Sequence, residues 1–189
     1  MPFIPTAIPD VKLFEPKVWE DERGYFFESY NRRILLEAGI TNNFVQDNQA
    51  LSSRGVLRGL HYQLPPFGQA KLVRVLEGEV LDVAVDIREG SPTFGKYVSA
   101  VLSAKNKRQL FVPKGFAHGY LVLSETAVFF YKCDNYYHPE AEAGVRFDDP
   151  QINIDWPMDP DQLILSTKDQ VQPLLGEHKV YASNPLATK

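Results

Sequence analysis

Two histidines stand where they could move protons. His61 lies in the segment 58–63, Arg-Gly-Leu-His-Tyr-Gln, and His118 ends the segment 113–118, Pro-Lys-Gly-Phe-Ala-His. Imidazole has the side-chain pKa nearest to neutrality, so it is the usual candidate for proton transfer. Both histidines adjoin β-forming residues and have glycine and aromatic neighbours. This pattern favours a functional role for both, at one site inside an all-β protein.

Two cations and two amides could bind a substrate. Arg58 and Lys71 occur within otherwise apolar β-segments, where a buried cation needs an anionic partner. A phosphate is such a partner, because Arg offers a two-pronged donor and Lys a point charge. The sequence has no glycine-rich phosphate loop, so side chains would bind the phosphate. Gln46 and Asn48 alternate on one strand face and could hydrogen-bond hydroxyls or a base edge.

Five other residues have structural interpretations when they are read alone. Tyr131 ends an apolar run and is typical of a core residue. Asp169 is typical of a carboxylate at a helix N-terminus. Cys133 has no evident partner base and is interpreted as a small buried residue without a nucleophilic role. His138 and His178 are interpreted as ordinary surface or core imidazoles.

The elements that must hold these residues are mostly strands. Apolar residues alternate with polar ones over residues 81–87, a period of two that indicates a strand with two different faces. The turn at residues 76–80 is interpreted as a hairpin connection. The other expected strands are residues 71–76, 97–102 and 109–112, with one or two more between 119 and 132.

The remaining segments add one strand and two helices. Residues 21–28 are interpreted as an aromatic-rich strand, on which Arg23 and Glu28 alone would be solvated edge charges. Residues 31–38 carry a helical pattern, and Gly39 follows as a stop signal. Residues 168–175 could form a second short helix.

Many short strands at regular spacing predict an all-β jelly-roll barrel or sandwich with short peripheral helices. We expect one domain over residues 1–189. Five prolines punctuate the C-terminal third, so residues 134–189 are expected to cover the barrel as loops and short helices.

Composition excludes several classes of partner. A net charge of −4 gives no general attraction for nucleic acid or a membrane surface. A single cysteine excludes an intrachain disulfide and a thiolate zinc cluster. No secretory signal is apparent, and no apolar run approaches ~18 residues, the length of a membrane span. We therefore expect a cytoplasmic protein.

The pattern Pro-x-Gly-x-x-His at 113–118 resembles the second motif of the cupin superfamily, which often binds a metal through three histidines and a carboxylate. The first cupin motif normally supplies His-x-His and a nearby glutamate. Here that place reads His61-Tyr62-Gln63, so two of the expected ligands are absent. Too few nitrogen donors remain for tight binding of a transition metal, which predicts a barrel without metal.

Eight segments in order resemble the dTDP-4-dehydrorhamnose 3,5-epimerase family, cupin-fold enzymes of nucleotide-sugar biosynthesis. The similarity runs from about residue 4 to about residue 172. It includes Asp-Glu-Arg-Gly-Tyr-Phe-Phe-Glu and Gly-Val-Leu-Arg-Gly-Leu-His-Tyr-Gln. The segments are residues 21–28, 44–48, 55–63, 69–73, 82–88, 91–95, 113–119 and 131–133.

The resemblance implies a role for each matching residue. His61 would be the base, Tyr131 the acid on the opposite face of the sugar, and Asp169 the carboxylate that orients His61. Lys71 would lie near the C4 oxygen and help to hold an enolate. The resemblance also implies a homodimer whose N-terminal strands, within residues 1–50, cross to the partner and bring Arg23 and Glu28 to the neighbouring site. The implied substrate-binding residues are Arg23, Phe26, Glu28, Gln46, Asn48, Arg58, His118, Glu142 and Lys168.

The implied reaction is epimerisation at C3 and C5 of dTDP-4-dehydro-6-deoxy-D-glucose, which gives dTDP-4-dehydro-L-rhamnose for dTDP-L-rhamnose synthesis. It needs no metal, nicotinamide or flavin. The nearest alternative is a mono-epimerase or ketoisomerase of a related dTDP-4-keto-6-deoxysugar. Departures from the family pattern at Arg146-Phe147 and His138 keep that alternative open.

Two further alternatives belong to other classes of protein. One is a metal-dependent cupin oxygenase or isomerase, which stoichiometric metal and loss of activity to a chelator would establish. The other is a catalytically silent module that binds sugar nucleotides. The joint presence of His61, Tyr131 and Asp169 argues against the silent module, because a binder needs no base, acid and orienting carboxylate.

Overall fold

The structure is a computed structural model that describes residues 3–182. Most of the regular structure consists of short antiparallel strands. Two helices, α1 (Arg32–Glu37) and α2 (Thr167–Gln170), and two 3-10 turns, Pro139–Ala141 and Pro160–Gln162, lie outside the sheets. The strands are β1 Phe3–Pro5, β2 Lys12–Phe14, β3 Val18–Asp21, β4 Gly24–Phe27, β5 Gln46–Ser53, β6 Leu57–Gln63, β7 Lys71–Glu77, β8 Glu79–Asp86, β9 Tyr97–Ser103, β10 Gln109–Val112, β11 Phe116–Val122, β12 Thr126–Cys133 and β13 Glu142–Gly144.

Eight of the strands pair in a nested order. β5 pairs with β12, β6 with β11, β7 with β10 and β8 with β9. Successive pairs alternate between a six-stranded sheet, β1-β2-β10-β7-β12-β5, and a five-stranded sheet, β13-β6-β11-β8-β9. A long hairpin folded over itself in this way is a jelly roll. The predicted all-β, cupin-type jelly-roll sandwich with short peripheral helices is therefore confirmed.

Three apolar clusters hold the layers together. The main core lies between the two sheets and includes Val73 and Phe129. A second cluster joins the outer face of the five-stranded sheet to the C-terminal segment through residues such as Leu175. A third packs Leu35 of α1 against Leu72 of β7 on the outside of the six-stranded sheet. Burying each such side chain contributes roughly 1.5–3 kcal/mol to the stability of the fold. Each sheet therefore has apolar packing on both of its faces.

The connection at residues 76–80 is not a hairpin, and that prediction was wrong. β7 ends at Glu77 and β8 begins at Glu79, but the two strands belong to different sheets. Gly78 between them has φ of 76°, and a Cβ atom there would lie 2.0 Å from the Thr126 carbonyl oxygen. The turn is a tight corner from one sheet to the other. A short polar turn looks the same in sequence whether its flanking strands pair or part.

Residues 21–28 also differ from the prediction of a single strand. The chain turns after Asp21, and β3 and β4 pair with each other as a hairpin. Within the described part of the chain these two strands pair with no other strand. The hairpin exposes three aromatic side chains, Trp19, Tyr25 and Phe26, the last of them to 70%.

The predicted helix at residues 31–38 is confirmed as α1. The Asn31 side-chain oxygen accepts a hydrogen bond of 2.9 Å from the backbone N–H of Arg33, and such a cap contributes about 1 kcal/mol. The chain leaves the helix at Gly39, whose φ is 79°. α2 is shorter than the expected 168–175, since it ends at Gln170, and Pro173 could not have continued it.

The two ends of the chain pack differently. β1 pairs with β2, and β2 joins the barrel by pairing with β10. Residues 134–182 contain only β13, α2 and the two 3-10 turns. Residues 1–2 of the expected N-terminal segment and 183–189 of the expected cover lie outside the described residues. Over residues 3–182, no helix has the length and apolar character that crossing a membrane requires.

Candidate active site

A cavity of about 440 Å³ opens between the two sheets and is lined by six of the thirteen predicted site residues, including all four predicted catalytic residues. A surface depression of about 530 Å³ beside Trp19 is larger, but no histidine or tyrosine lines it. The cavity is lined by Ala50, Val56, Arg58, His61, Lys71, His118, Tyr120, Phe129, Tyr131, Ile164, Ser166 and Asp169.

A bulge in β6 brings Arg58 and His61 to the same wall. Tyr120 pairs across the ladder with Arg58, and His118 pairs with His61, so β6 holds one residue more than β11 between the two pairs. Residues three apart on a regular strand face opposite sides, and the extra residue corrects this. Gly59 permits the close approach, because a Cβ atom there would lie 2.6 Å from the Gly119 Cα.

His61 is held by a carboxylate. Its Nε2 lies 2.5 Å from Oδ1 of Asp169, whose side chain is 4% exposed. Burial acts to raise the pKa of Asp169, but the His61 and Ser166 hydrogen bonds and the charges of His61 and Lys168 outweigh it and lower that pKa. An ionised Asp169 requires the proton of a neutral His61 to sit on Nε2. The other ring nitrogen, Nδ1, then carries a free lone pair and can accept a proton.

Ser166 fixes Asp169 in turn. Its hydroxyl donates to Oδ2 of Asp169 at 2.9 Å and accepts from the Asp169 backbone N–H at 3.2 Å. Ser166 is the N-cap of α2, so the same hydroxyl begins the helix and holds the Asp169 carboxylate in place. The local interpretation of Asp169 as a residue at a helix N-terminus was correct, and the same position serves the cavity.

Tyr131 and Lys71 project from the other sheet. Tyr131 pairs with Asn48 on one side and Val73 on the other, and Lys71 pairs with Cys133 one row further along the same face. The Lys71 Nζ lies 5.9 Å from the centre of the Tyr131 ring. Burial raises the pKa of Tyr131 to about 12. Burial lowers the pKa of Lys71, and the nearby acidic groups of Cys133, Asp82 and Glu142 oppose that shift.

His118 forms a second histidine–aspartate pair beside His61. Its Nε2 lies 3.0 Å from Oδ2 of Asp82, a residue of β8 that is fully buried. Burial raises the pKa of Asp82 and lowers the pKa of His118, so burial drives both groups toward their neutral forms. The alternation predicted for residues 81–87 is present, and its polar face points into the barrel.

Four predicted substrate-binding residues surround the cavity without lining it. Gln46 donates to Asn48 at 3.1 Å on the inward face of β5. Lys168 forms an ion pair with Glu142, which also accepts a 2.9 Å hydrogen bond from the Tyr137 hydroxyl. Burial acts to raise the pKa of Glu142, but the hydrogen bonds from Lys168 and Tyr137 lower it below the ordinary value.

The three remaining predicted residues lie apart from this cavity. Arg23 is at the tip of the β3–β4 hairpin, where its side chain is 84% exposed and pairs with Asp21. Phe26 is exposed on the same hairpin, and Glu28, just after it, is also exposed. Within one chain the structure therefore does not bring these residues to His61.

Cys133, His138 and His178, for which only structural interpretations were given, lie outside the cavity. His138 stacks on Phe67 with ring centres 3.6 Å apart, and His178 is buried with its ring next to those of Tyr62 and Phe94. Cys133 is buried, and burial raises its pKa to about 11, which keeps the thiol protonated. Arg146, one departure from the family pattern, forms an ion pair with Asp148. In residues 3–182, no three His, Cys, Asp or Glu side chains are grouped to hold a metal ion.

Sequence reasoning missed six residues that line the cavity and the buried Asp82. Ser166 had a usable signal, because Ser-x-x-Asp is a capping pattern. Asp82 alternates with apolar residues like any exposed residue of a half-buried strand, so its burial could not be recognised. The missed lining residues are Ala50, Val56, Tyr120, Phe129, Ile164 and Ser166.

The chain is similar to known proteins over most of its length. The family model described as dTDP-4-dehydrorhamnose 3,5-epimerase matches residues 5–177. A dTDP-4-dehydrorhamnose 3,5-epimerase of Shigella flexneri is 57% identical over 170 residues, which cover 89% of this chain and 93% of the relative. The similarity thus extends over nearly the whole of both proteins.

Solved structures share the fold. A dTDP-6-deoxy-D-glucose-3,5-epimerase of Legionella pneumophila, in complex with dTDP-4-keto-L-rhamnose, superposes with a TM-score of 0.88 at 55% identity and covers 92% of each chain. A 3′-monoepimerase of Streptomyces bikiniensis, in complex with dTDP-quinovose, gives a TM-score of 0.85 at 34% identity, covering 92% of this chain and 87% of the other.

Proposed function

The chain belongs to the dTDP-4-dehydrorhamnose 3,5-epimerase family, whose members are isomerases, and from that membership we propose its reaction and mechanism. It inverts C3 and C5 of dTDP-4-dehydro-6-deoxy-D-glucose and so forms dTDP-4-dehydro-L-rhamnose. One observation supports the mechanism above all others. His61 projects from the five-stranded sheet and Tyr131 from the six-stranded sheet, and both line one cavity.

Inversion of a carbon beside a ketone needs two groups on opposite sides. The C4 ketone acidifies the hydrogens at C3 and C5, because either carbanion is delocalised onto the ketone oxygen as an enolate. The Nδ1 atom of His61 removes the proton from one face, and the ionised Asp169 stabilises the imidazolium that forms. The Tyr131 phenol returns a proton to the other face. The ketone itself stabilises the carbanion, so no step requires a metal or redox cofactor.

Lys71 supplies the positive charge that an enolate needs. Its ammonium lies beside the Tyr131 ring. When C3 and C5 of the sugar lie between His61 and Tyr131, the C4 oxygen lies near this ammonium. A fixed cation at a developing oxyanion is often the largest contribution to rate acceleration. Removing the proton and stabilising the oxygen are therefore assigned to opposite walls of the barrel.

Isotope exchange tests this function. During turnover in D2O, the product should carry deuterium at both C3 and C5, because each inversion takes its new proton from a group that exchanges with solvent. NMR of the product reports both positions. Recovery of unlabelled product, or of no product, would contradict the proposed reaction.

A mono-epimerase remains the second candidate, because the 34% identical structure from Streptomyces bikiniensis is described as a 3′-monoepimerase. The same incubation separates the two functions. Deuterium at one carbon only, with the other configuration retained, would assign this chain to the second candidate. The 55–58% identity to 3,5-epimerases favours the double inversion.

The alkaline limb of the pH profile should report Lys71. Burial lowers the pKa of Lys71 and raises that of Tyr131 to about 12, so the ammonium loses its proton before the phenol does as pH rises. We therefore expect kcat/KM to begin to decline at a pH below about 10.4, the ordinary pKa of lysine. Lys71→Arg keeps the cation and should move this limb upward, even with a lower maximum. An alkaline limb in the same place in the variant would assign it to another group.

We further propose that the chain acts as one cupin-like domain and assembles as a homodimer. The β3–β4 hairpin exposes Trp19, Tyr25 and Phe26, an apolar patch typical of an interface. It also carries Arg23 and Glu28 away from their own cavity, which fits a role at the site of the partner. Cys133 is a free thiol, as is usual for proteins of a reducing compartment, and we infer that the enzyme is cytoplasmic. We propose that it acts on a small nucleotide sugar and has no nucleic acid or membrane partner.

Mixing two inactive variants tests the shared site. Arg23→Ala and His61→Asn should each be impaired as homodimers. In a mixed dimer, one site combines an intact His61 with an intact Arg23 from the other subunit. After exchange of subunits at equal concentrations, about a quarter of the sites should regain wild-type activity. A mixture no more active than its components, although the dimers have exchanged, would confine Arg23 to its own chain.

A further inference from the structure

Arg58 faces the cavity without an acidic partner. Among residues 3–182 its guanidinium forms no ion pair, whereas seven other lysine and arginine side chains do, among them Arg88 and Lys132. A guanidinium that faces a ligand cavity without a carboxylate suits an anion such as a phosphate. The row of Arg58 and Tyr120 lies two residues along β11 from the row of His61 and His118, a distance of about 7 Å. A hexose with its anomeric phosphate spans a comparable length.

Ser52 holds one edge of this guanidinium. The Nε of Arg58 donates a 3.1 Å hydrogen bond to Oγ of Ser52. Ser52 is only 6% exposed and lies on the inward face of β5, two residues beyond Ala50. This hydrogen bond at Nε fixes the orientation of the guanidinium plane. The two terminal nitrogens remain available to bind a ligand.

Tyr120 pairs with Arg58 across the β6–β11 ladder and lines the same cavity. It is 5% exposed, and its buried hydroxyl has no hydrogen-bond partner within the described residues. Its ring stacks on Phe129 with centres 3.9 Å apart, so it cannot turn toward another partner. Burial raises the pKa of the Tyr120 phenol, while Ser52 and Arg58 act to lower it. The phenol oxygen is thus a spare acceptor beside the cation.

We propose that Ser52 and Tyr120 are positioning residues, which set the Arg58 guanidinium so that it binds the diphosphate of the nucleotide sugar. This inference rests on the proposed function, because that substrate supplies the diphosphate. Neither residue touches the reacting carbons. Their contribution is to binding, through the orientation of a side chain that would otherwise be free to rotate.

Calorimetric titration with dTDP, which carries the diphosphate but no sugar, tests the proposal. Ser52→Ala and Tyr120→Phe should each weaken dTDP binding about fivefold to tenfold. Ser52→Thr keeps the hydroxyl and should restore most of the affinity. In turnover assays the first two variants should raise KM in step with Kd and leave kcat near the wild-type value.

A double-mutant cycle separates positioning from a general structural effect. On an Arg58→Ala background, Ser52→Ala and Tyr120→Phe should cause no further loss. Ser103→Ala and Tyr62→Phe remove buried hydroxyls outside the cavity, one that caps a turn and one that bonds the Lys179 carbonyl, and should lower the melting temperature without changing the dTDP affinity.

Two results would overturn the proposal: an unchanged dTDP affinity in both variants, or an equal loss when Arg58 is already absent. Tyr120→Phe keeps the ring stack, so the test stands even if Ser52→Ala folds poorly. Failure of the proposed function would look different, because the wild-type protein would then not bind dTDP or not convert the ketosugar.

Discussion

Replacement of His61 by asparagine is expected to lower turnover by at least roughly 10²–10⁴-fold, the usual contribution of a positioned acid or base. Asparagine can keep a hydrogen bond to Asp169 but has no basic nitrogen. The loss should fall on kcat, and the affinity for dTDP should stay largely unchanged, because the base acts on the sugar carbons. Steady-state kinetics and calorimetric titration measure the two effects separately.

His138→Asn is the matched control. That imidazole stacks on Phe67 outside the cavity, so the change should leave turnover near the wild-type value. Deuterium exchange into the substrate should also disappear in His61→Asn, since no group remains to remove either proton. A His61→Asn enzyme with near-normal turnover would remove His61 from the mechanism.

Tyr131→Phe is expected to separate proton removal from inversion. The variant keeps His61 and Asp169, so it should still form the enolate, but it has no phenol to protonate the opposite face. Product formation should fall by roughly 10²–10⁴-fold. In D2O the recovered substrate should contain deuterium with its original configuration, because the imidazolium returns a solvent-derived proton to the face from which it came. NMR detects this label.

Tyr97→Phe tests whether the loss of any phenol in the barrel produces the same result. The Tyr97 hydroxyl accepts a backbone N–H at the surface of the C-terminal segment, so this variant should invert both carbons at a nearly normal rate. If Tyr131→Phe formed inverted product at the wild-type rate, the proton donor would have to be another group.

The fold could be predicted from the sequence because its strands carry strong local signals. The alternation over residues 81–87 gave β8, and the Asn31–Gly39 punctuation gave α1. The errors occurred where pairing depends on distant residues. The corner at Gly78 and the hairpin after Asp21 are short turns in the sequence. Whether the two strands that flank such a turn pair with each other depends on how the two sheets pack together.

The candidate site was predicted less evenly. His61, Tyr131 and Asp169 come from three separate segments and meet in one cavity, and the family resemblance, not the local pattern, brought them together. Asp82 and Tyr120 could not have been selected, because their sequence neighbours are those of ordinary strand residues. Their importance comes from burial beside His118 and Arg58, which is a property of the assembled barrel.

The extra residue in β6 couples two tasks that could otherwise vary independently. Arg58 and His61 lie three positions apart, and they share a wall because the bulge adds one residue between them. Insertion or deletion of one residue that left the bulge in place would turn one of the pair toward the outer layer. Substitutions between them can be tolerated during divergence if they preserve the backbone path, whereas a change in length cannot. The base and the anion-binding guanidinium are therefore inherited together, as a single unit of fixed length.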